Sequence, residues 1–108
     1  MLGDRGLADA VLENSRTAPI PDREKALLAY VERVNGGSFA LRREEVDVVR
    51  AAGWSDEAIY DAVSVCALFS FYNRWCDGSG VRPMTAEDYA ASGKRLAAHG
   101  YLPPPPPR

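Results

Sequence analysis

The sequence predicts an all-α protein of about five helices, and three observations carry that expectation. Apolar residues recur at i, i+3, i+4 and i+7 in one segment after another. Glycines at Gly36-Gly37, Gly53, Gly78 to Gly80 and Gly100 close those segments. Cap residues, Ser55 and Thr85 foremost, open the next ones. No internal repeat interrupts the pattern. Val46-Asp47-Val48-Val49 is the one strand-like run, and it sits between acidic residues and a glycine stop at helical spacing.

The first helix is expected over residues 4–13, where Leu7, Ala8, Val11 and Leu12 fall on one face. Pro19 and Pro21 then force an extended connector, because each fixes φ and pushes the residue before it away from the helical region. Pro21 suits the first turn of the second helix, where its missing N–H is no loss. Asp22 and Glu24 favour the positive end of that helix. Leu27, Tyr30, Val31 and Val34 form its stripe, and Asn35-Gly36-Gly37 is expected to stop it through a left-handed glycine.

A third helix is expected near 42–52, burying Val46, Val49 and Ala52 and ending at Gly53. Ser55 is then an N-cap with Asp56 and Glu57 behind it, and Trp54 and Ile59 occupy the two positions of a hydrophobic staple. The fourth helix, about 56–76, is unusual. From Ala62 to Phe71 only Ser64 and Ser70 are polar, and a helix apolar on nearly every side is buried on most of them. Asp77-Gly78-Ser79-Gly80 ends it. Thr85 opens the fifth helix, with Asp88 at N3 and a Met84–Tyr89 staple, and Gly100 closes it. The domain is expected to span residues 1–102. Pro103 to Pro107, in the segment 103–108, cannot be helical and read as a disordered tail.

Composition narrows the function classes. The chain has 108 residues, enough for one domain with a small core. Net charge is -2, and the basic pairs Arg42-Arg43 and Lys94-Arg95 have acids nearby, so no nucleic-acid partner is expected. No apolar run approaches the roughly 20 residues that span a bilayer, and the first residues lack a signal-peptide core. A cytoplasmic protein with no membrane partner is the expectation. Two cysteines make no disulfide framework, and both are expected as thiols.

Three blocks carry a resemblance: Pro21-Asp22-Arg23-Glu24-Lys25-Ala26-Leu27-Leu28-Ala29-Tyr30, then Arg50-Ala51-Ala52-Gly53-Trp54-Ser55-Asp56-Glu57-Ala58-Ile59, then Phe69-Ser70-Phe71-Tyr72-Asn73-Arg74. In order and spacing they resemble the carboxymuconolactone decarboxylase and alkylhydroperoxidase (AhpD)-like superfamily, in its peroxidase-related branch, over most of residues 5–82. The resemblance falls on the C-terminal half of that branch and implies an AhpD-like helical bundle. In active relatives a preceding helix carries a Cys-x-x-Cys pair with an upstream Glu and a nearby His. Those thiols reduce peroxides by cycling between dithiol and disulfide, an antioxidant chemistry. This sequence has no Cys-x-x-Cys, and its one histidine, His99, lies on the last helix. No catalytic residue therefore carries over. Asn73 and Arg74 carry over as a family feature without a catalytic role.

The remaining candidates are weighed on their own chemistry. Cys66 sits among Val65, Ala67 and Leu68, the setting of a buried apolar thiol, while Cys76 lies near the helix end and is the better redox candidate. Ten positions along one helix separate them by about 15 Å, too far for a disulfide. Asn73 shares a face with Cys66 and should need a polar partner. Arg74 could reach Glu24 or Asp77. Trp54, Phe69, Phe71, Tyr72 and Trp75 form an aromatic set that reads as core or interface, and Trp54, Phe69, Tyr72, Asn73, Arg74 and Trp75 are the expected binding or interface residues. Glu57 and Asp61 lack a third ligand, so no metal is expected, nor any cofactor.

One inference rests on physics alone. Four short helices cannot cover a fourth helix that is apolar all round, and uncovered apolar surface is commonly buried in a partner. A homo-oligomer, in its simplest form a dimer, is expected, with that helix at or beside the interface. Three functions remain open: a homo-oligomeric, non-catalytic or ligand-binding member of the superfamily, an alkylhydroperoxidase using Cys66 or Cys76 alone, or an accessory chain that completes a site with a partner carrying Cys-x-x-Cys. The first is favoured on the chemistry.

Overall fold

In the computed structural model, which describes residues 4–101, the all-α expectation holds. The helices are α1 (Arg5–Glu13), α2 (Asp22–Gly37), α3 (Arg43–Ala51), α4 (Asp56–Ser79) and α5 (Ala86–His99), with a 3₁₀ turn at Ser38–Ala40 and no strand among the described residues. No helix among them is long and apolar enough to cross a membrane. The prolines at 103–107 lie outside the described residues. The chain divides into two compact units that meet between Trp75 and Cys76, so α4 belongs to the first unit except for its last turn.

In the first unit, Asp4 caps α1 by accepting from the Leu7 N–H at 3.1 Å. A turned segment then leads to Pro21, which stands at the N-cap of α2, one residue before the expected position. Ala18 in that segment is buried. The expected glycine stop of α2 differs in kind. The helix runs to Gly37 and on into the 3₁₀ turn, and neither glycine is left-handed, Gly37 being extended at φ 178°. The turn closes with Leu41 N–H on the Ser38 carbonyl, and the Arg33 guanidinium reaches the Ala40 carbonyl at 3.4 Å. A helix that tightens into a 3₁₀ turn at its end needs no left-handed residue to stop it.

Glu45 anchors the start of α3 twice. Its Oε2 accepts from the Arg42 N–H at 2.8 Å, and its Oε1 accepts from Arg33 Nε of α2 at 2.7 Å. The hydrogen bond with Arg33 holds the Glu45 carboxyl below its ordinary range and the Arg33 guanidinium above its own. A carboxylate with a lowered folded value stabilises the fold above its unfolded value and loses that contribution as pH falls through the lowered one. Thermal midpoints of wild type and Glu45→Gln, followed by circular dichroism, are therefore expected to differ most near neutral pH. The gap should close as pH falls below the carboxylate range; a gap that widens in acid would contradict the assignment.

The turn between α3 and α4 follows the sequence closely. Gly53 has φ 101°, its N–H bonds the Arg50 carbonyl, and the Trp54 N–H bonds the Val49 carbonyl. This is the glycine-centred 6→1 and 5→2 closure of a helix end. Ser55 Oγ then accepts from the Ala58 N–H at 3.1 Å and opens α4. Arg50 ties the two helices, donating to Asp56 at 2.7 Å and to Asp47 at 3.0 Å. A Cβ at Gly53 would meet nothing within 4 Å, so only the backbone conformation resists substitution there. Gly53→Ala should lower stability by about 1–2 kcal/mol. Gly93→Ala, in the interior of α5 with equally open space, should raise it by about 0.5–1 kcal/mol. Denaturant unfolding of the two variants measures both.

In the second unit, α4 ends where Gly80 takes φ 72° and the Val81 N–H bonds the Cys76 carbonyl. Thr85 and Asp88 form the expected capping box of α5. Thr85 Oγ1 accepts from the Asp88 N–H at 3.1 Å, and Asp88 Oδ2 accepts from the Thr85 N–H at 3.3 Å. Gly100, with φ 64°, closes α5. Met84 and Tyr89 are both exposed.

Only Ala18, Val49 and Ile59 are buried hydrophobics among the described residues, all in the first unit. That core joins the approach to α2, the middle of α3 and the first turn of α4.

Candidate functional site

The candidate site is α4 between Ile59 and Trp75, whose two faces differ. At 100° per residue, Ile59, Ala62, Val63, Cys66, Ser70 and Asn73 share one arc. Ile59 on that arc is buried, and Ala62, Val63, Cys66 and Ser70 are half-buried. The opposite arc holds Val65, Leu68, Phe69, Phe71, Tyr72 and Trp75, whose exposures run from 50% at Leu68 and Tyr72 to 60% at Phe71. Tyr60, 73% exposed, and the charged, exposed Asp61 continue it toward the N-terminus.

The inward arc meets α2 through two contacts. Ser70 Oγ donates to Asn35 Oδ1 at 3.0 Å, and Cys66 Sγ donates to the Val31 carbonyl at 3.9 Å. A groove opens on either side of this seam. One, of about 400 Å³, lies among α1, α2 and α4 and includes Val11, Leu28, Phe69 and Asn73 in its walls. The other, of about 380 Å³, is walled by Val34, Ser38, Phe71 and Arg74. Asn35, Cys66 and Ser70 line both. Phe69 and Phe71 are thus the rims where each groove meets the outward face.

The expected site residues fall into three groups. Phe69, Tyr72 and Trp75 are on the outward face, with the Tyr72 ring edge-on to Phe71 at 5.6 Å. Asn73 and Arg74 are exposed and line one groove each. Neither enters a side-chain hydrogen bond or ion pair among the described residues, so Arg74 reaches neither Glu24 nor Asp77. Trp54 stands apart. It is half-buried, its Nε1–H donates to the Arg23 carbonyl at 2.7 Å, and the Arg23 guanidinium lies 4.1 Å from its ring centroid. Trp54 therefore locks the α3–α4 turn onto the start of α2. Asn35 was not anticipated as a groove residue; the sequence offered only its place before Gly36.

Cys66 and Cys76 are free, half-buried thiols. The hydrogen-bond partner of Cys66 is a backbone carbonyl, which accepts from S–H and is no base. The one carboxylate lining either groove, Glu32, is paired with Arg16 at 3.1 Å. No histidine lines either groove. Glu57 and Asp61 are exposed, and among the described residues no three His, Cys, Asp or Glu side chains gather around a common metal position. The arrangement can bind apolar matter and orient it with neutral polar groups. Among the described residues, the hydrogen-bond partner of Cys66 is the Val31 carbonyl and no side-chain base. No family model, no curated protein and no solved structure matches this chain.

Proposed function

We propose that the chain is a non-catalytic, self-associating helical module, related in its motif blocks to the AhpD-like superfamily, whose shared surface is the outward face of α4. The carrying observation is the outward arc from Val65 to Trp75, on which six large apolar side chains stand at least half exposed, the charged Arg74 of that run lying on another side of the helix. Large side chains present roughly 200 Å² each, so the patch amounts to about 700 Å². That exceeds the largest apolar patch of an ordinary monomer, about 300–600 Å². It is close to the ~800 Å² that each partner contributes to a stable pair.

A second copy is the simplest occupant, because a two-fold interface needs only one patch that complements itself. The family relationship rests on the three sequence blocks alone. A peroxide-reducing role draws less support, since Cys66 has a carbonyl for a neighbour and the one carboxylate in its grooves, Glu32, is paired with Arg16. Light scattering coupled to size-exclusion chromatography tests the proposal. A mass of twice 11.8 kDa at micromolar concentration is expected, and a monomer there would falsify it.

A further inference from the structure

We infer that the groove among α1, α2 and α4 binds a single aliphatic chain bearing an uncharged, hydrogen-bonding head group, as in a long-chain alcohol. This goes beyond the self-association reading and does not depend on it. Val11, Leu12 and Leu28 line this groove and also an adjoining one of about 390 Å³, where Leu7 and Ile20 add further aliphatic wall. Each volume falls within the range of small-molecule sites. A partner helix, about 10–12 Å across with its side chains, would need more room.

The lining is aliphatic where α1 contributes and polar where α2 and α4 meet. There Ser70 donates its proton to Asn35, which leaves the Ser70 oxygen able to accept. Asn73 has no side-chain partner among the described residues, so its amide is available both to donate and to accept. At that polar end the charged lining residue, Glu32, is paired with Arg16, and Glu24 lies in the lining of the adjoining aliphatic groove. The polar end therefore offers dipoles and no net charge. A carboxylate or ammonium head would give up its hydration without a counter-ion, which is expensive. A pure alkane would leave the amide and hydroxyl unanswered. A hydroxyl head on a long chain satisfies both conditions.

Isothermal titration calorimetry of the full chain with 1-decanol, decanoate and decylammonium tests this. Decanol should bind at least tenfold more tightly than either ion. Leu12 is 84% exposed, so Leu12→Glu should keep the wild-type thermal midpoint while weakening decanol tenfold or more. Asn73→Leu, also at an exposed site, should weaken decanol by a similar factor. Leu68→Glu, on the outward face of α4, should leave decanol binding unchanged whatever it does to association, which separates this inference from the self-association reading. Undetectable decanol binding, binding unaffected by both groove variants, or decanoate binding as tightly as decanol would overturn the inference.

Discussion

On the proposed pairing through α4, Leu68→Glu is expected to leave the protein a monomer, raising the dissociation constant at least about 100-fold, with little change in the helix content of each chain. Leu68 sits in the uncharged stretch from Val65 to Asn73 and is 50% exposed. In a two-fold interface every substitution acts twice, so two carboxylates would enter the centre of the patch together. No lysine or arginine lies on that arc of α4 to pair with them. An unpaired charge desolvated at an interface centre costs several kcal/mol, and each ~1.4 kcal/mol is a factor of ten in affinity. The monomer should tolerate the change because half of the Leu68 side chain already faces outward.

Phe39→Glu is the control. Phe39 is 96% exposed, more than any residue of the α4 patch, yet it stands alone on the 3₁₀ turn. If association follows a contiguous face, Phe39→Glu leaves the mass unchanged. If it follows exposed aromatics in general, Phe39→Glu dissociates the protein as well as Leu68→Glu does. Analytical ultracentrifugation of both variants decides between the two.

The same helix shows how far the residues alone lead. Local signals were legible: Gly53 at a left-handed position, Ser55 capping α4, and Thr85 with Asp88 capping α5 are each set by neighbours within three or four residues. The excess of apolar surface on α4 was legible too, because it follows from composition. Which arc of α4 points inward was not. That choice depends on Asn35 and Val31, 35 residues away from Ser70 and Cys66. The role of Trp54 was hidden for a similar reason, since its indole bonds a carbonyl 31 residues back. At Gly36-Gly37 a local rule misled. Glycine permits a left-handed stop, but α2 passes instead into the 3₁₀ turn with Gly37 extended at φ 178°.

Ile59→Ala carries the other large effect, on stability. Ile59 is only 7% exposed and sits in the first turn of α4, its N–H bonded to the Ser55 carbonyl at 3.0 Å. Truncating a buried isoleucine to alanine typically costs about 2–5 kcal/mol. Domains of this size have about 5–15 kcal/mol in all, and here Ala18 and Val49 are the only other buried residues described. The thermal midpoint should fall by roughly 10–30 °C, at about 4–8 °C per kcal/mol. Phe71→Ala removes a larger side chain, but one that is 60% exposed. Measured in the Leu68→Glu background, where dissociation no longer enters, Phe71→Ala should change stability by no more than about 0.5–1 kcal/mol. The ranking thus runs against side-chain size and follows burial. If Phe71→Ala proves as damaging as Ile59→Ala in the monomer, then Phe71 is packed within its own chain, and the outward face of α4 is not the surface that two copies share.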